Sequence, residues 1–114
     1  MALTISIDHE AAVTVVKLQG YVEKEGAIRI RKQVEELISQ GRRSIAIDFS
    51  LAPIVNSVGL AEFIDLVSMS MGTEDLHFAF FGLSDACRFS FNTVGMFHYV
   101  LELPDRSSAI NSLK

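Results

Sequence analysis

The chain has 114 residues, 49% of them hydrophobic, and a formal net charge of −4. That much apolar chain can build one core without metals or disulfides, and charged residues at 21% exclude the composition of a disordered polymer. The acidic balance argues against a nucleic-acid-binding surface or one that seeks anionic membranes.

Leu3, Ile5 and Ile7 alternate with Thr4 and Ser6, the period-two pattern of a strand with one buried face. Val13, Val15, Val16 and Leu18 form a second strand over roughly 12–19, ended by Gly20. The polar-led connector Asp8-His9-Glu10-Ala11-Ala12 predicts an antiparallel hairpin between them. From about Lys24 the apolar period lengthens, with Ala27, Ile30, Val34, Leu37 and Ile38 at helical spacing and Gly41 as the expected stop. Ser44 to Phe49 reads as a short buried strand, so the helix forms a βαβ-type crossover. Asn56 or Ser57 then supplies an N-cap for a second helix over about Val58 to Met71, stopped at Gly72.

Leu76 to Phe81 is a fourth strand ended by Gly82, and Ser84 or Asp85 caps a third helix that finishes before Gly95. Tyr99 to Leu103 gives a last short strand, and Pro104-Asp105 opens a terminal helix over Arg106–Leu113. The order is ββαβαβαβα. It predicts an α/β fold of α+β character in one domain spanning 1–114, with a mixed sheet of about 4–5 strands and about four helices.

On a helical wheel, Leu60, Phe63, Ile64, Val67 and Met71 of the second helix form one arc expected to face the sheet, with Glu62, Asp65 and Ser68 opposite. Leu66 and Met69 fall outside that arc. They are either scattered exposed apolar residues or a small docking patch for a partner.

Little in the chain speaks for catalysis. His9, His77 and His98 are far apart and lack metal-ligand spacing, so no metal site is expected. No dinucleotide fingerprint, Walker loop or nucleophile elbow is present, so no cofactor and no catalytic residue is assigned, and the chain is not expected to be an enzyme. Cys87 is the lone cysteine, which fits a reducing compartment. Met1-Ala2-Leu3-Thr4 does not resemble a secretory leader, and no apolar run reaches membrane-spanning length. The expectation is a cytoplasmic domain with no membrane insertion and no nucleic-acid partner.

One residue remains. Ser57 lies where a strand-to-helix connection brings a hydroxyl to a helix N-terminus. It is either a plain N-cap contributing about 1 kcal/mol or a phosphate acceptor, since the N–H groups and macrodipole there stabilise negative charge.

The segment from Asp48-Phe49-Ser50 through Asn56-Ser57-Val58-Gly59-Leu60 resembles the signature of the STAS domain, typified by bacterial anti-sigma factor antagonists. That signature is a strand ending in Asp-hydrophobic-Ser, a short loop, then Asp-Ser-(Ser/Thr)-Gly-Leu opening a helix. Leu18-Gln19-Gly20-Tyr21-Val22-Glu23 resembles the family's Leu-x-Gly-x-hydrophobic-Asp. Gly82-Leu83-Ser84 and Val94-Gly95-Met96 resemble its later features, and the element order matches throughout.

The resemblance implies an antagonist that binds a serine-kinase/anti-sigma factor while unphosphorylated and thereby frees a sigma factor. It implies phosphorylation at Ser57 as the release step and a PP2C-type phosphatase as the reset. Glu23 and Asp48 match family positions near the acceptor, so a phosphate would enter an acidic neighbourhood. Asn56 stands where the motif has Asp, and Val58 stands where it has a second hydroxyl. Whether Asn56 supports phosphorylation is left open, as is formation of a homodimer. Gly59, just inside the helix, either admits close approach of a partner's backbone or is only a relic of the family motif. The alternative is a constitutive accessory subunit, as STAS-like proteins are for some lipid-transporting ABC systems. Leu66 and Met69 would then hold the partner, and Ser57 would only cap the helix.

Overall fold

The opening hairpin is tighter than its polar connector predicts. The computed structural model describes residues 3–114; Met1 and Ala2, part of the segment read for a leader, lie outside the described residues. Strand β1 (Thr4–Glu10) runs antiparallel to β2 (Val13–Gln19), so Asp8, His9 and Glu10 belong to the strand. Only Ala11 and Ala12 turn the chain, with Ala11 at φ 55°. The polar residues fit because β1 is an edge strand. Arg106 binds the carboxylates of both Asp8 and Glu10, and the His9 ring hydrogen-bonds Thr14 Oγ1 at 3.0 Å.

The remaining elements are α1 (Lys24–Ser39), β3 (Ser44–Leu51), α2 (Ser57–Gly72), β4 (His77–Phe81), α3 (Asp85–Thr93), β5 (Leu101–Leu103) and α4 (Arg106–Leu113). The strands lie in the order β1-β2-β3-β4-β5, and β2 to β5 are mutually parallel. This is the mixed α/β sheet with four helices that the sequence predicts. Gly41 ends α1 as expected: at φ 91° it donates to Ile38 O, while the Arg42 N–H reaches back to Leu37 O, closing a Schellman turn. The expected start of β5 at Tyr99 is displaced. Gly95, at φ 75°, turns the chain into a 3₁₀ turn at Met96–His98, and the strand begins only at Leu101.

Because β2 to β5 follow one another across the sheet in chain order, right-handed crossovers put α1, α2 and α3 on the same face. There Ile45, Ile47, Phe49, Phe78 and Phe80 meet Ile30 and Val34 of α1, Phe63 of α2 and Phe91 of α3. Four of these rings form one cluster: Phe49, Phe63, Phe80 and Phe91 have all six centroid distances between 5.1 and 5.9 Å. Helix α4 alone packs the opposite face, where Ala109 and Ile110 rest on Val13, Val15, Ala46 and Ala79. The two short alanines let the helix lie close to the strands.

The wheel placed α2 with the wrong rotation. Leu66 is 1% exposed within the main core and Met69 packs against it, whereas Ile64 and Met71 are exposed. The cause is a second neighbour: α2 contacts α1 as well as the sheet. Glu62, one turn before Leu66, faces α1 and sits 3.0 Å from Arg31 Nε, an ion contact without hydrogen-bond alignment. Leu66 therefore belongs to the core with Met69 packed against it, and the two form no exposed docking patch.

Candidate functional site

The chain leaves β3 at Leu51 and enters α2 at Ser57. Asn56 is the N-cap, extended at φ −77° and ψ 170°, with Oδ1 accepting from the Gly59 N–H at 2.8 Å. Its carbonyl accepts the first helical bond, from the Leu60 N–H, also at 2.8 Å. Ser57 is therefore the first helical residue and not the cap. Its side chain is exposed, and among the described residues its hydroxyl has no hydrogen-bond partner. The N–H groups of Ser57 and Val58 belong to the first turn, whose donors have no acceptor within the helix. The hydroxyl thus stands at the positive end of a 16-residue helix.

Because the cap is Asn56, Asn56→Ala is expected to cost about 1 kcal/mol and to lower Tm by about 4 °C. Asn56→Asp, which keeps the acceptor, should restore both in the same thermal unfolding experiment.

The loop before Ser57 is held from two sides. On one side runs the β2–α1 connector: Gly20 donates to Leu51 O at 2.9 Å, Val22 donates to Ile54 O at 2.9 Å, and Asn56 donates to Val22 O at 3.0 Å. Val22 and Val55 form a parallel bridge. This pairing sets Glu23, exposed and one residue beyond Val22, next to the strand-like approach to Ser57. It also explains Gly59. A Cβ there would lie 3.1 Å from Val22 O and 3.2 Å from Asn56 Oδ1, so the backbone approaching it is the chain's own. The expectation that Gly59 admits a partner's backbone is replaced by this internal contact.

On the other side stands the first turn of α3. Ser84 caps that helix by accepting from the Cys87 N–H at 3.1 Å, and its hydroxyl donates to Pro53 O at 2.7 Å. Asp48 is engaged elsewhere. It is 8% exposed, and its Oδ1 accepts from the Ser50 N–H at 2.9 Å and the Ser50 hydroxyl at 2.6 Å, across the bulge where β3 shifts register against β2. Gly82 packs onto that bulge, where a Cβ would come within 2.9 Å of Ser50 Cβ.

The two facing loops and the helix start also expose apolar side chains. Tyr21, Leu51, Ile54 and Val58 are each about half exposed. Sequence reasoning did not pick them out. The available signal was aromatic and branched residues at Tyr21 and Ile54, in connectors where polar residues are usual. Among the described residues no group of three or more His, Cys, Asp and Glu is placed to hold a metal ion. No described helix is long and apolar enough to cross a membrane.

No protein-family model matches the sequence, and no curated protein matches it significantly. Solved structures do. An anti-sigma factor antagonist from Mycobacterium paratuberculosis superposes with a TM-score of 0.86 at 17% identity, over 98% of this chain and 94% of the other. Moorella thermoacetica RsbS, carrying a serine-to-glutamate substitution, gives 0.78 at 14% identity over 96% and 93%. The Bacillus cell fate determinant SpoIIAA, in its phosphorylated form, gives 0.75 at 16% identity over 97% and 100%.

The chain has the anti-sigma factor antagonist fold. At these identities the likeness is one of architecture. In this chain's version of the antagonist fold, Ser57, Asn56 and Gly59 meet at the start of α2 with Glu23 alongside. Asp48 belongs to the β3 bulge, Leu66 to the core, and Met69 packs against it.

Proposed function

We propose that the whole chain, 1–114, is one STAS-like domain that works as a phosphorylation-controlled partner switch rather than as a catalyst. Unphosphorylated, it binds a serine-kinase/anti-sigma factor through the surface around Ser57; phosphorylation of Ser57 releases it, and a PP2C-type phosphatase restores it. Such a switch acts in the cytoplasm, where ATP and the kinase are. The observation that carries this reading is the exposed Ser57 hydroxyl at the first position of α2, without a hydrogen-bond partner among the described residues and accompanied by Tyr21, Leu51, Ile54 and Val58 on the surface. An apolar rim gives a partner area to bury. A phosphate beside it adds roughly −1.5 to −2 charges to a surface that must desolvate on binding.

The accessory-subunit alternative rests on Asn56 in place of the motif's Asp, with Leu66 and Met69 as its holding surface, and burial of Leu66 removes that surface. The test is phosphate incorporation from ATP in host extract, located by mass spectrometry. Wild type is expected to acquire one phosphate at Ser57 and Ser57→Ala none. Incorporation at another residue, or none in wild type, would sink the proposal.

A further inference from the structure

We infer that Ser84 is a positioning residue for Ser57, latching the Ser57 loop to the first turn of α3. The inference rests on the reading of Ser57 as the phosphoacceptor. An ordinary N-cap hydroxyl uses an oxygen lone pair and leaves its proton to water. Ser84 accepts from the Cys87 N–H at 3.1 Å, but its single proton goes across the fold to Pro53 O at 2.7 Å. The same carbonyl lies 3.4 Å from the Cys87 thiol, a weak donor that is 2% exposed. Pro53 is followed by Ile54, Val55, Asn56 and Ser57, and the other edge of this segment is already fixed by Val22.

With both edges tied, the segment has one backbone pose, and the position of the Ser57 Cα and Cβ follows from it. Release of the Ser84 bond at Pro53 leaves the β2–α1 connector and the weak Cys87 thiol contact as support. The segment then opens locally while the sheet beneath it stays intact. Kinase docking requires the acceptor oxygen in one place, so a loosened loop slows phosphate transfer even though Ser57 itself is untouched.

The two roles of Ser84 can be separated chemically. Ser84→Thr keeps acceptor and donor; Ser84→Asp keeps the acceptor that caps α3 but cannot donate to Pro53 O. Ser84→Gly, also a tolerated cap, removes the donor without adding charge and serves if the Asp variant does not fold.

Amide hydrogen exchange at Asn56, Gly59 and Leu60 reads the latch directly. The Asp and Gly variants are expected to exchange there about tenfold faster than wild type, with the amides of β3 and β4 unchanged, and the Thr variant to match wild type. Phosphate incorporation at Ser57 in host extract should fall in the same variants and recover in Thr. Equal exchange in the Asp, Gly and Thr variants would make Ser84 a cap only and overturn the inference. Faster exchange with unchanged incorporation at Ser57 would overturn it too. If exchange behaves as expected but wild type takes no phosphate at Ser57, the latch stands and the phosphoacceptor reading fails.

Discussion

Ser57→Asp is expected to weaken the complex with the kinase partner about a hundredfold, equivalent to about 2.7 kcal/mol, while thermal stability stays level or rises slightly. The two halves have different causes. Ser57 is exposed and makes no hydrogen bond among the described residues, so its replacement removes no packing and no partner. A carboxylate in the first turn of α2 gains from the helix dipole by about 0.3–1 kcal/mol. In the complex the same charge would sit among Tyr21, Ile54 and Val58, where it must shed water on docking and meets whatever acidic groups the partner presents. Titration calorimetry with the isolated partner, set beside a thermal melt, measures both halves. Unchanged affinity would refute the switch, and a collapsed melt would mean that Ser57 has a structural role absent from the structure.

Phe63→Ala is expected to cost about 3–5 kcal/mol, a large part of a total stability of roughly 5–15 kcal/mol. Phe63 is 1% exposed and lies within 5.9 Å, centroid to centroid, of three other rings from β3, β4 and α3. Those neighbours belong to three different elements, so they cannot all close in on the space left behind. The next residue supplies the control. Ile64 is 44% exposed, and Ile64→Ala should shift the urea midpoint by no more than about 0.5 kcal/mol equivalent. Comparable losses at both positions would mean that α2 is rotated from the orientation described.

Much of the fold was legible in the sequence because it is written in local signals. Gly41 stops α1 through a left-handed turn, and Asp105 and Ser84 cap α4 and α3 within the expected segments. The antiparallel hairpin is as expected, and only its turn is shorter, because Asp8, His9 and Glu10 read as loop residues. An edge strand tolerates them, and Arg106, far along the chain, binds two of them. The rotation of α2 was misjudged for a similar reason. A wheel assumes one buried side, and α2 has two, the sheet and α1. At the site, Ser57 stood out from its helix-start context and the family resemblance. The cap could not be divided between Asn56 and Ser57 without backbone geometry. The Pro53–Ser84 contact spans 31 residues and leaves no periodic trace.

The match between strand order and chain order has a kinetic consequence. Each parallel strand after β2 pairs with the strand formed just before it, across a single intervening helix. Loops closed during assembly are therefore short, and the sheet can grow by addition at one edge as the chain leaves the ribosome. The exception is α4. It joins strands made much earlier, through Arg106 to Asp8 and Glu10 and through Ser44 Oγ to Leu113 O. Until that helix arrives, the face of the sheet carrying Val13, Val15, Ala46 and Ala79 is bare. The nascent domain is most prone to self-association in that interval.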